Sequence, residues 1–346
     1  MLMQLAEISP KNTNGSLVDY RGMVMQMPTL IVSLDFELFW GMQDCMDLTE
    51  YEVNILGGRK AIPQMLELFQ KHDIHATWAT VGFLFGENEE DLRKYFPNNL
   101  PTYENKFLSA YRCFGCVGTD EGTAPCYYGA SLIKQIATVH GQEIGSHTFS
   151  HYYCREKGQT TEQFLDDMKA AKTIAIDKGY SLNSVVLPRN QCESMYTQVL
   201  TDLGFIAYRD EESDWIHEKI KIRPLMRILR LMDVYFPLTG LGGYKPQIEN
   251  GIVNLVGSRM YKPYFKPLAF MEGLKIRRIK KQMLHAAKNG LTFHLWWHPH
   301  NVGVRTDYHM KQLEEIFSYY DELKEKYGMR SLNMNEAAQE ILNRGF

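Results

Sequence analysis

Two acidic residues, Asp35 and Glu37, close the apolar run TLIVSLDFEL. On a strand, alternate residues share a face, so both carboxylates would project together. Further along, GSHTFSH sets His147 and His151 four apart just beyond another apolar run. If the chain turns helically there, the two imidazoles lie on one side and can share a metal ion. Two His and one carboxylate leave open positions on a divalent ion for water and substrate, which is the basis of metal-assisted hydrolysis. VLPRNQ puts Arg189 in a loop after a third apolar run, and a guanidinium fork there suits the Asp35 carboxylate. FHLWWHPHN adds His294, His298 and His300; His294 falls inside a strand, whereas His298 stands at its end and is the better candidate acid. A glycosidase fits less well. Its carboxylates flank the scissile bond, while Asp35 and Glu37 would lie ~7 Å apart and point the same way.

These segments must be carried by an alternating α/β chain. Continuous β-branched runs such as residues 29–38 predict strands buried on both faces, and GRKAIPQMLELFQKHD follows with helical spacing before the strand IHATWATVGF. The alternation continues: helix near 128–140, QEIGSH, helix 161–178, SVVLP, helix 194–203, FIAY, NGIVNLV, helix near 270–289, LTFHLWW and helix 308–327. About seven strand–helix repeats predict a parallel α/β barrel or a doubly wound sheet, since parallel strands need crossovers and these are helical. Each candidate segment then falls at a C-terminal strand end, where barrels keep their active sites. Residues 1–28 form an irregular lead-in, and residues 29–346 one barrel domain with insertions near 86–127 and 209–268.

The order of these segments, an acidic D-x-E strand end, HTFSH, an Arg loop and a late strand-end His, resembles the polysaccharide deacetylase (carbohydrate esterase, nodulation-factor-deacetylase-like) family over roughly residues 29–300. That resemblance implies a distorted (β/α)7 TIM-like barrel with inserted loops. It implies Asp35 as base, Glu37, His147 and His151 as metal ligands, Arg189 as the tether of the base, and His298 as the acid. EESDW resembles the family's acidic-Trp segment, which adds Asp214 and Trp215; Trp40, Trp297 and His300 complete the expected substrate-facing set. The pattern departs from the family in places. Phe36 separates Asp35 from Glu37, so either carboxylate could ligate; NQC follows Arg189; and His300 could replace His298. The implied cofactor is a divalent metal, Zn2+ foremost, and the implied activity removes an N-acetyl or similar acyl group from a sugar, on an activated (nucleotide- or lipid-linked) glycan precursor. Deformylation or hydrolysis of a non-sugar amide would use the same groups, and a carbohydrate-binding pseudoenzyme is the non-catalytic rival.

Composition narrows the remaining classes. A chain of 346 residues with 45% hydrophobic and 23% charged residues is neither fibrous nor disordered. With 38 Lys+Arg against 41 Asp+Glu, it lacks the basic footprint of a nucleic-acid binder. The charge is uneven, however: residues 216–290 hold 15 Lys+Arg and 4 Asp+Glu. The basic run 274–281 could touch a membrane surface weakly, although its apolar face is short. Six cysteines are too few for a disulfide framework, and CFGC at 113–116 is a lone CxxC best read as packed thiols. The start lacks a secretory apolar segment, so the cytoplasm is the expected compartment.

Overall fold

The computed structural model describes residues 27–115, 117–211 and 215–344. Most of the lead-in, Cys116 and Asp214 therefore lie outside the described residues. In chain order the strands are β1 (Thr29–Phe36), β2 (Ala76–Thr80), β3 (Gln142–Ser146), β4 (Ser184–Val186), β5 (Ala207–Arg209), β6 (Gln247–Glu249), β7 (Ile252–Asn254), β8 (Arg259–Met260), β9 (Thr292–Trp297) and β10 (Arg330–Leu332). The helices are α1 (Leu48–Lys71), α2 (Glu89–Arg93), α3 (Ala130–Ala137), α4 (Thr161–Asp177), α5 (Ser194–Asp202), α6 (Trp215–Lys219), α7 (Arg223–Tyr235), α8 (Glu272–Asn289), α9 (Thr306–Tyr327) and α10 (Met334–Asn343).

Strands β5, β4, β3, β2, β1 and β9 pair in parallel, each with the next. The ring is completed by one bent stretch. Its first half, β7, pairs with β5, and its second half, β8, pairs with β9, with Gly257 bridging Glu211 between them. Seven positions around the barrel follow, which is the distorted (β/α)7 arrangement expected. Part of the 209–268 insertion, the expected NGIVNLV strand, is thus a barrel strand, and much of the rest is helix (α6 and α7), within the loops or small subdomain expected there. An earlier helix start is also found: α1 begins at Leu48 because the Asp47 side chain accepts the Thr49 amide hydrogen as an N-cap. The β10–α10 unit was not anticipated; β10 extends the sheet beside β1 at Thr29–Ile31, below the point where β2 takes over at Val32.

Strand alternation sorts β1 into two faces. Leu30, Val32, Leu34 and Phe36 join the large core between strands and helices, whereas Ile31 faces the lumen with Ala79, Val186, Ala207, Val253 and Leu255. Met334, Ala337 and Ala338 of α10 belong to the same lumen cluster and plug it. Two residues above Ile31 comes Ser33, and two above that Asp35. The lumen is therefore apolar at its floor and polar at its C-terminal mouth.

Candidate metal centre and active site

Glu37 lies one residue past β1, and its Oε2 sits 3.1 Å from His151 Nε2 and 3.3 Å from His147 Nε2. Among the described residues these three form the one cluster of potential metal donors, and all are buried. The turn that pairs the imidazoles is not helical. Thr148 and His151 adopt left-handed backbone angles (φ 64° and 57°), a strained choice for non-glycine residues that the surroundings must hold in place. Asp167 of α4 does much of this, accepting the amide hydrogens of Phe149 (2.7 Å) and Ser150 (3.2 Å), while Thr148 Oγ1 accepts from the Tyr152 amide.

The donor set fits a cation. His147 Nδ1 donates to the Val186 carbonyl at 2.7 Å, which leaves Nε2 facing a carboxylate oxygen. Without a metal the two imidazoles can serve Glu37 as hydrogen-bond donors through Nε2; with one, the same Nε2 atoms and the carboxylate oxygen would ligate it. The 3.1 and 3.3 Å separations match the ~3.3 Å edge of a tetrahedron with ~2.0–2.1 Å metal–ligand bonds. Burial is the largest influence on Glu37 and acts to raise its pKa. The positive potential of His298 and the hydrogen bonds of His147 and His151 outweigh it, and hold the carboxyl well below the usual range.

Asp35 is the other acid of the pair, and its partner is not the one expected. Arg209, at the end of β5, grips it through a fork, Nη1 to Oδ1 and Nη2 to Oδ2, both at 2.8 Å. Arg189 instead pairs with Asp44 and with Glu156 (3.0 Å), its guanidinium stacked on Tyr153, and 43% of its side chain is exposed. The correction has a plain cause: Arg189 follows β4 in a left-handed turn (φ 57°) that turns it to the rim, whereas Arg209 continues the lumen face of Ala207 two residues on. Arg209 is further held by Ser33 Oγ (2.8 Å), Asn190 Oδ1 (3.1 Å) and the face of Trp296 (4.1 Å). His294 supports this network as a neutral acceptor. Its Nδ1 donates to the Leu255 carbonyl, its Nε2 takes the Ser33 hydroxyl proton at 2.7 Å, and burial pushes its pKa down to about 3. Burial would raise the Asp35 pKa, but Arg209, His298 and His147 together lower it.

His298 Nε2 stands 3.6 Å from Asp35 Oδ2 and 3.6 Å from Glu37 Oε1, at the mouth, with one-fifth of its side chain exposed. His300 is buried behind it, ring-stacked at 4.9 Å, and burial pushes its pKa down to about 3. His300 is thus set back from the mouth, behind His298. Trp40 and Trp297 leave the expected set. Both are fully buried, Trp40 against Phe83, Phe114 and Tyr127, and Trp297 against Phe69 and Tyr261. Trp215 is exposed at the start of α6 and donates to the Leu238 carbonyl. Of the CxxC pair, Cys113 is buried with its thiol directed to Gln43 Oε1.

Two features escaped the sequence reading besides Arg209. Gly41 packs so closely that a Cβ there would fall within the Glu37 carboxyl. Beside the mouth, a cavity of about 190 Å³ is lined by Trp296 and by Arg230, Arg259, Lys262, Lys275 and Arg278, with Glu211 and Asp233 as the acids.

A seven-position α/β barrel thus carries a Glu–His–His cluster, an Arg-held carboxylate and a mouth His at one end. Residues 56–207 match the family model described as polysaccharide deacetylase. Solved structures agree on the fold: a protein assigned as a polysaccharide deacetylase from Mycobacterium smegmatis (13% identity, TM-score 0.56, 92% of this chain and 91% of that one) and another from Pseudomonas aeruginosa PAO1 (11%, 0.54, 92% and 90%). Puue allantoinase is comparably similar (11%, 0.56, 97% and 98%). No curated protein matches the sequence.

Proposed function

We propose that the protein is a metal-dependent N-deacetylase acting on a sugar carried by an anionic group, as in a nucleotide- or lipid-linked glycan precursor. The observation that carries this reading is the convergence of Glu37, His147 and His151 within reach of both Asp35 and His298. Glu37, His147 and His151 would hold a divalent ion, Zn2+ foremost for a set of two imidazoles and one carboxylate. Such an ion lowers the pKa of a bound water from 15.7 towards ~7 and polarises an acyl carbonyl. Asp35, fixed by the Arg209 fork, accepts the water proton at Oδ2, the oxygen on the His298 side. His298 would give a proton from Nε2 to the leaving nitrogen, and the proton taken up by Asp35 would restore it, so acetate and a free amine result. The cationic cavity beside Trp296 supports an anionic carrier, because it adjoins the residue that stacks on Arg209.

The test is acetate release from a panel of nucleotide-linked and lipid-linked N-acetyl sugars by metal-loaded protein. Asp35→Asn and His298→Ala should each lower turnover by roughly 10²- to 10⁴-fold with metal still bound. No acetate from any member, with the metal site filled, would move the reading to another amide or to a binding protein.

A further inference from the structure

Helix α7, RPLMRILRLMDVY, is amphipathic, yet it sits with its apolar side outward. Leu225, Ile228, Leu231 and Met232 follow one another at helical spacing, and they are 41%, 58%, 41% and 44% exposed; Ile222, just before the helix, is 64% exposed. A surface helix ordinarily buries that stripe against the core. Here the buried positions are Asp233 and Tyr235, and the helix is fastened by charge: Asp233 pairs with Arg259 of β8 and Arg278 of α8, both at 2.9 Å, and accepts the Thr239 amide. Exposed cations flank the apolar stripe at Lys219, Lys221, Arg223 and Arg227, and residues 215–235 hold five Lys+Arg against two Asp+Glu.

We propose that α7 and its flanks dock on an anionic lipid surface, the helix lying in the plane of the interface. Thirteen residues are too few to cross a bilayer, and no helix among the described residues is long and apolar enough to do so. An apolar stripe edged with Lys and Arg is the pattern of an interfacial helix, and each cation near an anionic surface strengthens binding roughly fivefold. A second copy of this chain is the poorer occupant. A two-fold interface sets the same patch against itself, and here that would oppose two net-positive faces. The basic run 274–281, which the sequence alone offered for membrane contact, is not the docking element, because Lys275, Ile276, Arg278 and Ile279 are buried.

Docking would also set the barrel mouth at the lipid interface. Arg230 and Asp233 of α7 line the cavity that Trp296 closes, and Trp296 stacks on the guanidinium that holds Asp35. The carrier of the sugar would then be a lipid. That last step rests on the deacetylase reading; the docking itself does not.

The experiment is flotation of the full chain with phosphatidylcholine vesicles, with and without phosphatidylglycerol, at low and high salt. Binding should require the anionic lipid and weaken with salt. Ile228→Glu with Leu231→Glu, and separately Arg223→Glu with Arg227→Glu, should each reduce partitioning at least tenfold, while far-UV circular dichroism and metal binding stay as in the parent. Failure of the parent to bind anionic vesicles, or unchanged partitioning of both variants, overturns the proposal. So does light scattering that finds a dimer which the Ile228/Leu231 variant converts to monomer. Vesicle binding is read without turnover, so its failure is distinct from failure of the deacetylase reading.

Discussion

Replacing Arg209 by Met keeps much of the buried stem and removes the guanidinium. That group is 1% exposed and makes two 2.8 Å bonds to Asp35, one to Ser33 and two to Asn190 (3.1 and 3.3 Å). Removing one partner of a buried ion pair costs about 3–5 kcal/mol, since the other charge stays buried and unpaired. Against a typical stability of about 5–15 kcal/mol, the variant should remain folded but be weakened. Asp35 would lose its fixed orientation, and a displacement of about 1 Å is worth about 10²-fold in rate. Arg189→Ala should behave differently. Its side chain is half in solvent and Tyr153 Oη still donates to Asp44 at 3.1 Å, so the expected cost is about 1 kcal/mol with turnover within a few-fold. Urea unfolding followed by circular dichroism reads the stability difference, about 2–4 kcal/mol between the two variants. Acetate release reads the rate. Arg209→Lys is the companion variant: it keeps the charge, loses the fork, and should recover stability more than turnover. An Arg189→Ala protein as damaged as Arg209→Met in both readouts would refute the assignment of the tether.

Gly41→Ala should displace the Glu37 carboxyl, because the added Cβ occupies its place. Metal affinity measured by chelator competition should fall by about 10- to 100-fold, the scale of a lost supporting contact, at a folding cost of about 1–3 kcal/mol from overpacking. Asp167 is a carboxyl whose pKa burial raises to about 7, against hydrogen bonds from Ser150 and the Phe149 and Ser150 amides that lower it. Raised above its unfolded value, it contributes stability that is complete below about pH 4 and is lost as pH climbs through about 7. Unfolding free energies taken from pH 4 to 8 should therefore decline in the parent and be flatter in Asp167→Asn; identical slopes would remove the assignment.

Much of the site is legible in the sequence where its geometry is local. Asp35 and Glu37 share a face because strand alternation demands it, and the strand end before His298 is marked by Pro299. His147 and His151 meet as their spacing suggests, but through a strained turn held by Asp167 instead of a helix. What stayed hidden depends on contacts between distant segments. Arg209 ends FIAYR one residue beyond the run read as a strand, and its meeting with Asp35 depends on β5 and β1 facing one lumen across the barrel. The sequence does offer a signal for it: Arg209 lies two residues after the small lumen residue Ala207. Trp40 and Trp297 misled because an aromatic near a motif has no direction until the strand register is known; the register of β9 sends Trp296 to the lumen side and Trp297 into the core. Helix α7 lies in the stretch read as inserted loops or a small subdomain, where the surrounding Pro and Gly outweighed its helical apolar spacing.

The central claim, that Glu37, His147 and His151 hold one divalent ion, is tested most directly by Zn2+ titration calorimetry of the apo protein beside Glu37→Gln, His147→Ala and His151→Ala. One high-affinity site per chain is expected in the parent, and its loss in each variant. An unchanged isotherm in any two of the variants, or no binding by the parent, would contradict it.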